Sequence, residues 1–257
     1  MAENSFRDGL YADEPQIGAG ALTCSPMVVE TYGRIGLDFV WLDLEHSGIA
    51  PTDSASMEEL ARAAEAGGTE LIVRSTSGEP SVIRKLLDAG VRNVVIPRIE
   101  TAAEVETAVE AGRFVYDGEP GERGVGVGRA NYWGEDISAE YRRREDESIL
   151  IGVNIENRTA IENLEEILSV PQLGFVLLGH QDLSVSMGSM PDDEGVQDAI
   201  ETYRETAEAA DVPYGRAMGI DSDSVEAAID DGYRMLLVGN ELAAARNTFG
   251  DLIGSRE

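Results

Sequence analysis

The chain has 257 residues and sets 49 Asp or Glu against 20 Lys or Arg, a formal net charge of −29 at neutral pH. Acid excess on this scale leaves no basic face with which to neutralise phosphates, which excludes nucleic acid as a partner. With 42% hydrophobic residues and 28 glycines the composition is nevertheless that of a folded globular chain.

Short apolar runs alternate with amphipathic segments of helical period along the whole length. In chain order the spacing predicts strands over Ile17 to Cys24 and Asp38 to Leu42, then a helix over Ser54 to Ala66. A strand at Glu70 to Val73 precedes a helix at Pro80 to Ala89, and a strand at Asn93 to Pro97 precedes a helix at Ala102 to Ala111. Further on come a strand at Ile149 to Ile155, a helix at Ala160 to Leu168, a strand at Gly174 to Leu178 and a helix at Asp193 to Ala210. The last units are a strand at Pro213 to Ala217, a helix at Ser224 to Asp231, a strand at Met235 to Val238 and a helix at Glu241 to Ile253. Eight such units in about 250 residues is the arithmetic of a (β/α)8 TIM barrel. A doubly wound open sheet would place a glycine fingerprint after its first strand, where this chain reads SPMVVETYG. No linker divides the sequence, so a single α/β domain over 1–257 is expected. Residues 1–15 form a lead-in, and the irregular stretch 113–147, containing RGVGVGRANYW, forms an active-site loop.

The chain offers few routes to chemistry. Cys24, the only cysteine, has no internal disulfide partner, and no Cys/His cluster suggests structural zinc. Lys85, the only lysine, lies in IRKLLDAG on a helix outside the barrel, too remote for a Schiff base. The start MAENSFRDGLYADEP lacks a basic, apolar leader, and no apolar run approaches the roughly 18 residues of a membrane span. A cytoplasmic location is expected. Arginine in place of lysine amid acid excess further suggests a very salty cytoplasm, where ions screen self-repulsion.

With so many acids, a carboxylate is informative only at a strand's C-terminal end, where barrels carry their active sites. FVWLDLEHS supplies Asp43, Glu45 and His46; IVRS supplies Arg74; VNIE supplies Asn154 and Glu156; VLLGHQDLS supplies His180, Gln181 and Asp182. Glu156 and Asp182 would offer oxygens to a hard divalent cation, with Asp43 and Glu45 holding its waters. The plainer alternative is that these groups bond local backbone, and that His46 is a packed histidine. Arg74, at the end of a buried strand, needs an anion to justify its desolvation. Gly124, Gly126 and Gly128 match no phosphate fingerprint and read as a flexible loop over the mouth.

DFVWLDLEH, the Arg of IVRS, LLDAGVRNVVIPRIE, RGVG, NIE and GHQDLS, in this order, resemble the HpcH/HpaI aldolase family, which includes class II pyruvate aldolases. The resemblance spans about Gly18 to Ala245 and implies a barrel of the phosphoenolpyruvate/pyruvate-binding type. It implies cleavage or formation of a 4-hydroxy-2-oxo acid, giving pyruvate and an aldehyde through a metal-stabilised enolate. Glu156 and Asp182 would be ligands to magnesium, manganese or cobalt; His46 the base; Arg74 the group stabilising the enolate. Asn154 and the backbone at Gln181 and Asp182 would bind substrate. The resemblance also pairs the histidine with Asp88 and implies a homo-oligomer, a hexamer in the family. Since Asp88 ends the helix after the third strand, at the barrel's opposite face, it is expected to reach His46 of a neighbouring subunit.

Three departures stand out. Asn154 replaces the family's usual Gln, His180 stands where GPxDLS has Pro, and Arg98 follows Pro97 where a smaller residue is common. They point to a hydroxylated 2-oxo acid other than the heptenedioate. His180 is read as a substrate contact or surface group rather than a ligand. Two other activities fit the sequence less well: a citrate-lyase-β-like lyase of acyl thioesters, which would want basic residues for cofactor phosphates, and a non-catalytic barrel that binds a keto acid.

Overall fold

The computed structural model describes residues 4–254. Its strands are β1 (Gln16–Gly20), β2 (Phe39–Asp43), β3 (Glu70–Arg74), β4 (Asn93–Ile96), β5 (Val115–Tyr116), β6 (Glu119–Pro120), β7 (Leu150–Ile155), β8 (Phe175–Leu178), β9 (Tyr214–Met218) and β10 (Met235–Asn240). All but β5 and β6 close into one barrel in the order β1-β10-β9-β8-β7-β4-β3-β2, and every barrel pairing is parallel. These are the eight strands predicted, and the fold is the expected (β/α)8 barrel.

Strands buried on both faces read as continuous apolar runs because each face has its own core. Phe39, Trp41, Ile72, Val95, Phe175, Leu177 and Met235 fill the interior. Val40, Leu42, Leu71, Val73, Val94, Ile96, Val176 and Leu178 face the helices. Gly152 leaves room for a ring: a Cβ there would stand 2.6 Å from the Phe175 side chain.

The lead-in is a structural part of the barrel. A helix at Ser5–Tyr11, capped by the Asn4 side chain, drives Phe6 and Leu10 into the N-terminal end of the interior. The Phe6 ring meets Phe39 and Phe175 edge-on at centroid distances of 5.3 and 5.7 Å. Asn4 ties this helix down by donating to Asn93 Oδ1 and to the Ser148 carbonyl, both at 2.7 Å.

The stretch 113–147 does not stand over the mouth of its own barrel. It follows the helix Ala102–Ala111 and precedes β7, so it lies on the N-terminal face, opposite the strand ends. It is also anchored. Arg123 pairs with Glu145 at 3.0 Å, both buried, and Asp146 accepts from the Phe114 and Val115 amides. Asn131 accepts from Gly128 N and Gly134 N and donates to Gly126 O. A helix at Ala139–Ser148 follows. Exposed apolar groups mark this loop (Val125, Val127, Trp133, Ile137) and the final helix Glu241–Gly254 (Leu242, Phe249, Leu252, Ile253). Among the described residues no helix is long and apolar enough to cross a membrane.

Candidate active site

The strand-end residues meet at the C-terminal mouth. Arg74, last residue of β3, lies beside Asp43, last residue of β2, because the two are register partners. The guanidinium donates from Nε to Asp43 Oδ1 at 2.9 Å and from Nη2 to Oδ2 at 2.6 Å, a bidentate pair. Nη1 reaches Glu45 Oε2 at 3.1 Å and lies 4.0 Å from Glu156 Oε2. Burial works against both charges of the pair. Their mutual hydrogen bonds and attraction outweigh it, holding Asp43 below and Arg74 above their ordinary ranges.

Glu156, directly after β7, has a side chain only 5% exposed. Oε1 accepts from the Arg98 backbone amide at 2.7 Å, and Oε2 accepts from Asn154 Nδ2 at 3.0 Å. Even so, burial pushes its carboxyl above the usual range, because these donors and Arg74 offset desolvation only in part. The other end of the Asn154 amide, Oδ1, is buried without a hydrogen-bond partner. The shorter Asn is thus turned toward Glu156, leaving an oxygen acceptor unspent.

A cavity of about 330 Å³ opens above these groups, lined by Glu45, His46, Arg98, Glu156 and Asp182 with Glu100, Asn157, Val185 and Ser186. His46 is 58% exposed, with Nε2 3.7 Å from Glu45 Oε2. Asp182 lies in the first turn of a helix at His180–Met187, which places that helix's N-terminus at the cavity. Gln181 and His180 stand apart from the lining. Gln181 Nε2 lies 3.0 Å from His180 Nε2, and His180 borders a separate hollow with Arg216. Burial, with Arg216 nearby, lowers the His180 pKa despite Asp182.

Asp88 does not line this cavity. It stands on the opposite face beneath the glycine-rich loop, where a Cβ at Gly126 would come 2.7 Å from its Oδ2. Burial raises its carboxyl pKa, with Arg123, Lys85 and Arg84 opposing.

Among the described residues no three His, Cys, Asp or Glu side chains form a metal-holding group. A hard cation completed by water and substrate needs fewer. Glu156 and Asp182 could hold one, and the surroundings fit: among the described residues Asp43, Glu45 and Glu156 pair with or lie near Arg74 and Arg98, and Asp182 lines the same cavity, so four carboxylates stand against two guanidinium groups. The unspent Asn154 oxygen beside Glu156 adds an acceptor for a bound water.

Sequence reasoning placed Asp43, Glu45, His46, Arg74, Glu156 and Asp182 at one end of the fold, and there they are. It missed the main-chain amide of Arg98 as a partner of Glu156. It also missed Glu100, Asn157, Val185 and Ser186, which carry no motif.

Polar side chains gathered at the C-terminal mouth of a closed (β/α)8 barrel mark an enzyme. The sequence model of the HpcH/HpaI aldolase/citrate lyase family matches residues 21–248, and the chain belongs to that family. It is 30% identical to a hydroxypyruvate/pyruvate aldolase of Roseobacter denitrificans, over 95% of this chain and 94% of that one. To a 5-keto-4-deoxy-D-glucarate aldolase of Shigella boydii it is 31% identical, over 95% and 93%. A crystal structure of a family protein from Burkholderia cenocepacia superposes with a TM-score of 0.89 at 27% identity, covering 99% of this chain and 100% of that one. The protein is a carbon–carbon lyase of the aldolase kind.

Proposed function

We propose that this aldolase cleaves, or in reverse forms, a 4-hydroxy-2-oxo acid, with pyruvate and an aldehyde as the other partners and a divalent cation as cofactor. The observation that carries this reading is the convergence of Glu156, Asp182, His46 and the Arg74 network on one cavity. Cleavage needs the proton of the 4-hydroxyl removed, the C3–C4 bond electrons accepted as an enolate, and that enolate protonated at C3. His46, at the open edge of the cavity, can take the hydroxyl proton directly or through a water, a role worth typically about 10²- to 10⁴-fold in rate. Arg74, fixed by Asp43 and Glu45, keeps a positive group beside the oxygen on which charge grows. The N-terminus of His180–Met187 presents backbone amides suited to the substrate carboxylate. A bound magnesium, manganese or cobalt ion would supply Lewis-acid polarisation of the 2-oxo group.

Pyruvate release from a panel of 4-hydroxy-2-oxo acids, assayed in high salt, should stop on chelation and return on adding back a divalent ion. Turnover indifferent to chelator sinks the metal dependence. The acyl-thioester reading draws less support, since Arg98 is the only guanidinium lining the cavity among the described residues.

The active unit is proposed to be a homo-oligomer in which Asp88 and its loop approach His46 of a neighbour. Exposed apolar side chains on the loop and final helix support association. Two singly defective variants, His46→Ala and Asp88→Ala, should regain activity when co-expressed, because mixed pairs rebuild intact sites. Absence of complementation in a confirmed mixed oligomer, or a monomer with full rate, overturns the shared site.

A further inference from the structure

Arg98 combines features that its backbone role does not explain. It follows Pro97 at the end of β4 with φ of 58°, the left-handed region that side chains other than glycine enter at a cost. Its main-chain amide holds Glu156 Oε1 at 2.7 Å. Glycine would supply the same amide without strain, so a residue kept there despite strain points to use of its side chain. That side chain is 75% exposed, and only Nε is engaged, donating to Glu45 Oε1 at 2.8 Å. The terminal Nη1 and Nη2, which carry four N–H donors, have no hydrogen-bond partner among the described residues. Arg74, by contrast, is 12% exposed and already spread over Asp43 and Glu45.

Exposure also grades across the cavity. Glu156 and Arg74 lie deep, while His46 and Arg98 stand at the rim. A substrate whose enolate-forming half sits against the deep groups must direct its aldehyde half past His46 toward Arg98. The cavity around Arg98 otherwise carries Glu45, Glu100 and Asp182, which repel an anion. Whether a negatively charged aldehyde is accepted there depends on Arg98.

We infer that Arg98 is the specificity-determining residue of this site, pairing end-on through Nη1 and Nη2 with a carboxylate at the far end of the aldehyde half, while Glu45 clamps its Nε. The inference rests on the aldolase reading and sharpens its substrate class to 4-hydroxy-2-oxo acids that are dicarboxylates.

The test compares matched pairs on the metal-loaded protein at fixed ionic strength, since an exposed ion pair is screened by salt. Aldol addition of pyruvate to glyoxylate against glycolaldehyde, and to 4-oxobutanoate against 4-hydroxybutanal, gives a ratio of kcat/KM, acid over neutral. The wild type should favour the acid by about 10- to 100-fold. Arg98→Gly, which retains the amide to Glu156 and suits the left-handed backbone, should bring the ratio near one, and Arg98→Lys should keep part of it. Calorimetry with 2-oxoadipate against 2-oxohexanoate reads the same preference without turnover. An unchanged ratio in Arg98→Gly, or a wild-type preference for the neutral member in both assays, overturns the assignment. Failure of every aldehyde to react counts against the aldolase reading instead, and the calorimetric pair then decides Arg98 alone.

Discussion

Glu156→Gln is expected to lower the rate of pyruvate release by about 10²- to 10³-fold while leaving the protein as resistant to heat as before, or more so. The size of the loss follows from the role proposed for Glu156: its carboxylate would hold the divalent cation that offsets the enolate's charge, and a single group supporting such stabilisation is worth about 10²–10³ in kcat. The direction of the stability change follows from the carboxyl's surroundings. Burial raises its pKa above that of the unfolded chain, so the ionised form costs stability near neutral pH and a neutral amide of the same size relieves that cost. The amide cannot serve both neighbours, because Arg98 N and Asn154 Nδ2 are both donors, and this offsets part of the relief. Pyruvate release and thermal unfolding, measured on one preparation, check both signs. A variant that loses activity only in proportion to lost stability would make Glu156 a structural group.

Phe6→Ala should show the reverse pattern, a large loss of stability with the site chemistry retained in whatever remains folded. Phe6 is fully buried at the N-terminal end of the barrel, between the Phe39 and Phe175 rings. Truncating a buried phenyl ring costs about 3–5 kcal/mol in transfer and cavity terms, or roughly 6–20 °C in Tm for a domain of this size. Calorimetric unfolding reads this directly. A shift below about 2 °C would mean that the Ser5–Tyr11 helix is not integral to the core.

The barrel strands were legible because burial on both faces writes an uninterrupted apolar run, visible in VVI of β4 and FVLL of β8. Helices whose stability depends on tertiary contact were not. Ser5–Tyr11 has only seven residues, too few for the spacing of Phe6 and Leu10 to declare a period. Ala139–Ser148 reads AEYRRREDES and buries only Tyr141 and Glu145, so no apolar stripe announces it. The predicted helix at Ala160 to Leu168 is broken at Asn163 into Arg158–Glu162 and Leu164–Leu168. The reading of 113–147 as a cover for its own mouth failed on topology, since a segment after Ala102–Ala111 must emerge at the opposite face. Within the site, the strand-end rule found the carboxylates and Arg74. The contact of Glu156 with a main-chain amide has no sequence signature, because every residue but proline carries that donor.

The Phe6 and Leu10 plug has a kinetic meaning as well as a structural one. A barrel sealed at one end and filled along its axis gives its reactants a single route in and out. With the enolate-forming half proposed to sit against Glu156 and Arg74 and the aldehyde half at the rim, the aldehyde is expected to leave first in cleavage and to arrive second in synthesis, an order that product-inhibition kinetics check.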